Sequence, residues 1–319
     1  MMGAVIDRLR LRRLTGALGI LIGLAGLFFV VRLVTTQWHV VAKTIQDSDL
    51  LLLLLAYIFG LVGMAQIGLG WKQALSIVGG RISAGVALHG YFIGQLGKYI
   101  PGAIWPVLGR SELARRAGVS ASSAYFGTLL SIGATYLAAL VVALISLPSG
   151  LDMDASPIIA GVGVVAILAL VAIALHPGCL SGVGRAVSSV ARRRLDVEAP
   201  RWGASLLLVA RHIPAWVAIT LATVTISAAL GVNGDFWNIV FATAIAWIAG
   251  FLMIPVPGGL GVREAMFVAT ATSLPTALAA TVAIAARLLF VAVDASGAAF
   301  VSMRGVLESA TKEGSGERS

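Results

Sequence analysis

Residues 236–273 read FWNIVFATAIAWIAGFLMIPVPGGLGVREAMFVATATS, and the run of Pro255, Pro257, Gly258, Gly259 and Gly261 in their middle decides the fold. Both flanks are apolar enough to enter a membrane. Proline removes a backbone donor and clashes with the preceding turn, so one unbroken helix through the tract is excluded. The arm after the break, 264–273, is too short to cross about 30 Å of hydrocarbon at 1.5 Å per residue. The tract therefore reads as a hairpin that enters and leaves on one side. Residues 83–117, SAGVALHGYFIGQLGKYIPGAIWPVLGRSELARRA, read the same way, broken at Pro101, Gly102 and Pro106. If they crossed completely, Arg110, Arg115 and Arg116 would lie outside, against the tendency of Lys and Arg to stay in cytoplasmic loops.

The rest of the chain is built for the same solvent. Hydrophobic residues make up 59% of 319 and charged residues 12%, a balance that excludes a water-soluble domain of this size. Nearly uncharged stretches at 14–36, 50–71, 122–147, 157–177, 203–231 and 277–303 are each long enough to span as helices. Alternation of apolar and polar residues is missing, which excludes a membrane barrel. The expected fold is an all-α integral membrane protein with six full spans plus two re-entrant Pro/Gly-broken helical hairpins, about eight membrane segments in all. Its parts are a basic N-terminus (1–13), one transmembrane domain (14–303) with hairpins near 83–117 and 236–273, and a polar tail (304–319).

The formal charge of +9 does not point to nucleic acid, because the cations sit in loops and not on an aromatic-studded face. Arg8, Arg10, Arg12 and Arg13 precede the first span, and Arg185, Arg192, Arg193, Arg194 and Arg201 crowd one connection. Both clusters fall in the cytoplasm by the positive-inside rule, which puts the N-terminus and the C-terminus on the cytoplasmic side of the cell membrane. Residues 1–36 imitate a signal peptide but lack an A-x-A-like site, so they are taken as a retained first span. Four histidines and the single Cys179 show no ligand-like spacing, so neither a metal nor another cofactor is expected. No P-loop, HExxH or GxSxG pattern supplies ATP-driven transport or common hydrolase chemistry.

The two broken tracts also match each other. YIPGAIWPVLGRSELARRAG and MIPVPGGLGVREAMFVATAT each carry Ile-Pro, a glycine-containing break, and an Arg with a Glu one or two residues later. With one hairpin entering from inside and the other from outside, this is the pattern of an inverted repeat, in which discontinuous helices meet near the midplane and form a substrate site. Unwound backbone at membrane depth is tolerated only where protein or a wet cavity surrounds it. The helix start near Gly258 to Arg263 would offer free amides and a positive dipole end to a lipid phosphate.

Ionisable residues inside apolar spans face the bundle interior or a polar path. Arg211, Arg263, Glu264, Arg287 and Asp294 meet that description. Arg287 and Asp294 are two turns apart and share a helix face. Arg287 is expected to pair with Glu264, and Asp294 with Arg263 or Arg211. These charges form either a packing network or a path for a headgroup or proton. Lys98 lies just before the first break and Arg110 and Glu112 just after it, with Lys98 free either to snorkel or to bind. His89, Tyr91 and Gln95 on the same arm either offer neutral hydrogen bonds to a sugar or glycerol headgroup or tie helices together within the bundle.

GKYIPGAIWPVLGR at 97–110 and IPVPGGLGVREA at 254–265 resemble the transmembrane domain of bacterial lysylphosphatidylglycerol synthases and the stand-alone flippase-like proteins related to it. The resemblance covers roughly 40–305, and Pro-Gly-Gly-x-Gly-x-Arg-Glu is its more specific motif. It implies movement of an aminoacylated phospholipid, or in some relatives a lipid-borne sugar, between leaflets. No aminoacyl-transfer domain follows residue 319, so the resemblance implies a stand-alone member that does not make such a lipid itself. It places the cavity around Lys98, Pro101, Gly102 and Arg110 in one hairpin, and Pro257, Gly258, Gly259, Gly261, Arg263 and Glu264 in the other. Ala103 stands where a second glycine is expected, which weakens the first motif as an anion cradle.

The leading expectation is a non-enzymatic translocator of an anionic or headgroup-modified phospholipid or lipid-linked sugar, supplied by a separate lipid-modifying enzyme. The alternative is an accessory membrane protein that presents a lipid to a synthase or glycosyltransferase without moving it. A membrane-embedded enzyme is disfavoured, because no acid–base cluster sits at a membrane face.

Overall fold

Helices end where the sequence provides caps and breaks. The computed structural model describes residues 46, 48–99, 104–150, 199–253, 257–314 and scattered positions between 161 and 182. Among them the helices are α1 (Leu50–Ile77), α2 (Ala84–Leu96), α3 (Trp105–Arg116), α4 (Ala121–Gly150), α5 (Trp202–Ala229), α6 (Phe236–Leu252), α7 (Val262–Thr270) and α8 (Thr276–Gly314). No strand occurs among the described residues. Asp49 caps α1 by accepting from the amides of Leu51 and Leu52 at 2.9 and 3.2 Å. Ser83 caps α2 and Asp235 caps α6 in the same way, each satisfying an amide that has no partner within its helix.

Four helical segments are long and apolar enough to cross a membrane: Leu50–Ile77, Ala121–Leu147, Trp202–Ala229 and Thr276–Met303. They coincide with four of the six spans read from the sequence. The span expected at 14–36 lies outside the described residues, and so does most of the one at 157–177. The chain is a multi-pass membrane protein. Its lipid-facing surface is plain on α1, where Leu50, Leu51 and Leu54 are 68%, 74% and 56% exposed.

Small residues set how closely the spans approach. A Cβ on Gly63 would lie 2.8 Å from Ile219 and 2.9 Å from the carbonyl oxygen of Ala215. One on Gly70, two turns later on the same face of α1, would strike the ring of His212 at 2.3 Å. In lipid, where apolar side chains gain little by leaving the solvent, such close backbone contact is a main source of helix association. α4 is pinned to this pair by indole N–H groups: Trp71 donates to Thr128 at 3.0 Å and Trp216 to the carbonyl of Thr135 at 2.6 Å.

Two further pairs are built differently. α2 packs on α3 and α6 packs on α7; a single 3-10 turn at Gly97–Tyr99 follows α2, and another at Pro257–Gly259 precedes α7. At 1.5 Å per residue, α2, α3 and α7 are well short of the roughly 30 Å needed to cross. Pro106 opens α3 in its first turn, where a missing amide hydrogen does no harm. The open end of the second pair is closed by Asn238, whose side chain bonds the carbonyl of Thr270 and the hydroxyls of Thr272 and Ser273.

Candidate functional site

The helix pairs cross at glycines. A Cβ on Gly109 would sit 3.9 Å from Cα of Gly94, and a Cβ on Gly259 only 2.6 Å from Cα of Gly250. Gly259 also has φ +64°, a left-handed conformation that side chains rarely adopt, so both space and backbone call for glycine there.

An arginine follows each crossing and lies back across the glycine of the preceding arm. Arg110 Cγ would be 2.7 Å from a Cβ on Gly94, and Arg263 Cβ 3.3 Å from one on Gly250. Each guanidinium then reaches the aromatic ring three residues before that glycine: Arg110 stands 4.6 Å from the Tyr91 centroid and Arg263 3.6 Å from that of Trp247. Phe290 of α8 is also within 5.5 Å of Arg263. The ring faces carry negative charge and favour the cations. Both pairs thus share one local design, aromatic-x-x-Gly on the first arm and Arg on the second.

The two turns meet one another. A Cβ on Gly258 would lie 3.6 Å from the carbonyl oxygen of Lys98 and 3.4 Å from Nη2 of Arg287. α8 runs past this meeting point and holds each turn with one charged side chain. Asp294, with no exposed surface, takes Lys98 Nζ at 2.5 Å and the Tyr99 hydroxyl at 2.8 Å on the same oxygen. Arg287 donates to Glu264 at 2.5 Å and to the carbonyl of Gly258 at 3.3 Å. The i, i+7 spacing that puts Arg287 and Asp294 on one face of α8 is what lets a single helix grip both breaks.

The pairing of Arg287 with Glu264 matches the sequence reading; that of Asp294 does not. Its partner is Lys98, brought in by the first hairpin, and not Arg263 or Arg211. Lys98 is accordingly tied into the bundle, with 21% of its side chain exposed. Arg211 is exposed on α5 and forms no ion pair with a described residue. Glu112 also stays on the surface, bonded to Arg115 and Arg116 of its own helix. Pro101 and Gly102 lie outside the described residues. The start of α7, expected to receive a phosphate, is instead capped by its own Glu264, which accepts from the Gly261 amide at 2.7 Å.

At the two helix pairs, Arg110 and Arg263 have no carboxylate partner among the described residues. Arg110 keeps 5% of its surface exposed and has one hydrogen bond, to Gln95 at 3.1 Å; its Nε is buried without a partner. Gln95 is itself held by the Tyr91 hydroxyl at 2.6 Å. Arg263 has its ring contacts and lines a small cavity with Thr223, Thr243, Trp247 and Glu264. Arg110, Gln95 and Glu264 were legible as candidates; Trp247, Phe290 and the role of Tyr99 were not. The signal for Trp247 was the shared spacing of YFIG at 91–94 and WIAG at 247–250.

A multi-pass helical protein with paired broken helices meeting at buried charges is the class that fold and site define. Within that class, the chain belongs to the lysylphosphatidylglycerol synthase TM region family, whose model matches residues 16–294. None of the curated proteins compared with the chain matches it.

Proposed function

We propose that the chain carries an anionic or headgroup-modified phospholipid, or a lipid-linked sugar, between the leaflets of the cell membrane. The observation that carries this reading is the pair of guanidinium groups, Arg110 and Arg263, set at the crossings of the two helix pairs with no carboxylate partner among the described residues. An uncompensated cation within a membrane protein is costly, and a lipid phosphate is the anion that a bilayer supplies. The family points to lipid as the substrate's environment.

In this reading the chain has six spans with both termini cytoplasmic. The two helix pairs are re-entrant hairpins of an inverted repeat, opening to opposite sides. Lys98–Asp294 and Arg287–Glu264 are latches that α8 holds on the two breaks; releasing one at a time exposes the guanidinium groups to one leaflet and then the other. The acyl or prenyl tail stays in the bilayer throughout. The protein makes and breaks no covalent bond, and a separate enzyme makes the lipid. The shared aromatic-x-x-Gly and Arg arrangement supports the repeat, because two unrelated hairpins have no reason to place these groups alike.

Leaflet-resolved lipid analysis of a strain lacking the protein, beside one carrying Arg263→Ala, tests this reading. Accumulation of one lipid in the inner leaflet of both strains is expected. Unchanged leaflet distributions together with loss of a partner enzyme's activity would shift the reading to an accessory role.

A further inference from the structure

Arg110 stands at one end of a chain of buried polar side chains whose direction is fixed from both sides. Its Nη2 donates to Gln95 Oε1 at 3.1 Å, Gln95 Nε2 donates to the Tyr91 hydroxyl at 2.6 Å, and that hydroxyl donates to Met64 Sδ at 3.2 Å. A guanidinium can only donate and a thioether can only accept, so the Gln95 amide must turn its oxygen to Arg110 and its nitrogen to Tyr91. All four residues are at least nine-tenths buried. The only charge in the chain is that of Arg110.

The second helix pair lacks this holder. Position by position, YFIGQ at 91–95 matches WIAGF at 247–251, and Phe251 stands where Gln95 does. Phe251 stacks on Tyr136 with ring centroids 3.8 Å apart and offers Arg263 no acceptor. Gln95 is therefore not part of the shared aromatic-x-x-Gly and Arg design; it serves the first pair alone. What it does there is hold a cation without neutralising it. Glutamate has the same shape, would reach the same Nη2 and would supply a negative charge, and charge-assisted hydrogen bonds are roughly twice as strong as neutral ones. With glutamine, Arg110 keeps its charge uncompensated and its buried Nε without a partner, a costly state that a further acceptor relieves.

We infer that Gln95 is the positioning and specificity-determining residue of the first helix pair: it fixes the Arg110 guanidinium, 4.6 Å from the Tyr91 ring centroid, and keeps its charge free for one phosphate group. The amide oxygen stands in for a phosphate oxygen until the ligand arrives. This rests on the lipid-translocating reading and assigns the phosphate of its substrate to Arg110. The site suits a single anionic group, since Gln95, Tyr91 and Met64 bring no charge of their own. A lipid headgroup and free phosphate share that chemistry.

The test is Gln95→Glu in the full chain, in nanodiscs of phosphatidylcholine with and without phosphatidylglycerol, read by melting temperature and by lipid binding in native mass spectrometry. Inorganic phosphate added to phosphatidylcholine nanodiscs is the soluble probe. The unaltered protein is expected to bind phosphatidylglycerol about tenfold or more tightly than phosphatidylcholine, the effect of one charge-assisted contact. Gln95→Glu gives Arg110 a carboxylate of its own, and the Tyr91 hydroxyl can turn from sulfur to that stronger acceptor. The variant should therefore melt above the unaltered protein and yet lose the preference, a pair of opposite changes that a mere packing role for Gln95 does not produce. Gln95→Met removes the acceptor and adds no charge, so it should melt lower and keep more of the preference. A Gln95→Glu protein that melts lower, does not fold or keeps the preference would overturn the inference, as would equal loss in the Glu and Met variants. So would an unaltered protein with neither a phosphatidylglycerol preference nor stabilisation by phosphate. Stabilisation by inorganic phosphate alone, abolished by Gln95→Glu, would uphold the site and sink the lipid reading; movement of phosphatidylglycerol between leaflets that Gln95→Glu leaves unchanged sinks this inference alone.

Discussion

Replacing Asp294 by asparagine removes the only carboxylate bonded to Lys98 among the described residues while keeping the shape of the side chain. Breaking a buried ion pair by deleting one partner costs about 3–5 kcal/mol, because the other charge stays behind unpaired. Lys98 is 21% exposed and can partly turn toward water, and the amide oxygen of the new side chain can still accept from Tyr99, so the expected loss is smaller, about 2–3 kcal/mol. At roughly 2–4 °C per kcal/mol for a protein of this order of size, the unfolding midpoint in detergent should fall by about 4–12 °C. Lys98→Met should cost more, about 3–5 kcal/mol, because it orphans Asp294, which has no exposed surface to turn toward water. The double variant removes both charges, and replacing a whole buried pair by neutral groups is often close to neutral. It should therefore melt above either single variant, with a coupling of about 1–3 kcal/mol. An Asp294→Asn protein that melts within a degree of the original, or single losses that simply add in the double variant, would refute the claim that this pair latches the first break to α8.

The crossings and the surface charges give further expectations. Gly259→Ala combines a left-handed φ with a Cβ 2.6 Å from Gly250, so it should lower the melting temperature at least twice as much as Gly261→Ala, whose φ is +78° but whose Cβ meets nothing within 4 Å. Gly70→Ala should destabilise by forcing α1 from α5, and His212→Ala should restore part of the loss by removing the ring that the new methyl strikes at 2.3 Å; additive losses would show that the contact is not what matters there. Glu112→Gln breaks only exposed pairs and Arg211→Gln changes only an exposed side chain. Each should change stability by less than about 0.5 kcal/mol and leave lipid exchange between leaflets untouched, as fluorescent-lipid exchange in liposomes would show.

What the sequence made legible follows from local chemistry. Four apolar stretches and two Pro/Gly breaks translate directly into spans and short helix pairs, because helix length and proline geometry act within a few residues. Arg287 and Asp294 could be put on one face of α8, since that depends only on helical pitch. The partner of Asp294 could not be chosen in this way. Which cation reaches it depends on where the first break docks, and Lys98, Arg211 and Arg263 are equivalent until that packing exists. Arg263 was one of two candidates for Asp294, yet it lies over the Trp247 ring; a cation over a ring face leaves no charge pattern in the sequence. The start of α7 looked open to a phosphate because capping by a residue three positions on, Glu264, competes with any ligand and was counted only as a distant partner. The sequence signal for Tyr91 and Trp247 lies before each break, in the shared spacing of YFIG and WIAG.

Transport is tested most directly with purified protein reconstituted in liposomes, measuring exchange of candidate phospholipids and lipid-linked sugars between leaflets. The account predicts faster exchange of at least one anionic lipid than in protein-free liposomes, and loss of that gain in the Arg110→Gln, Arg263→Gln double variant at unchanged reconstitution. Exchange no faster than in protein-free liposomes for every candidate lipid, or a rate indifferent to both arginines, would contradict it.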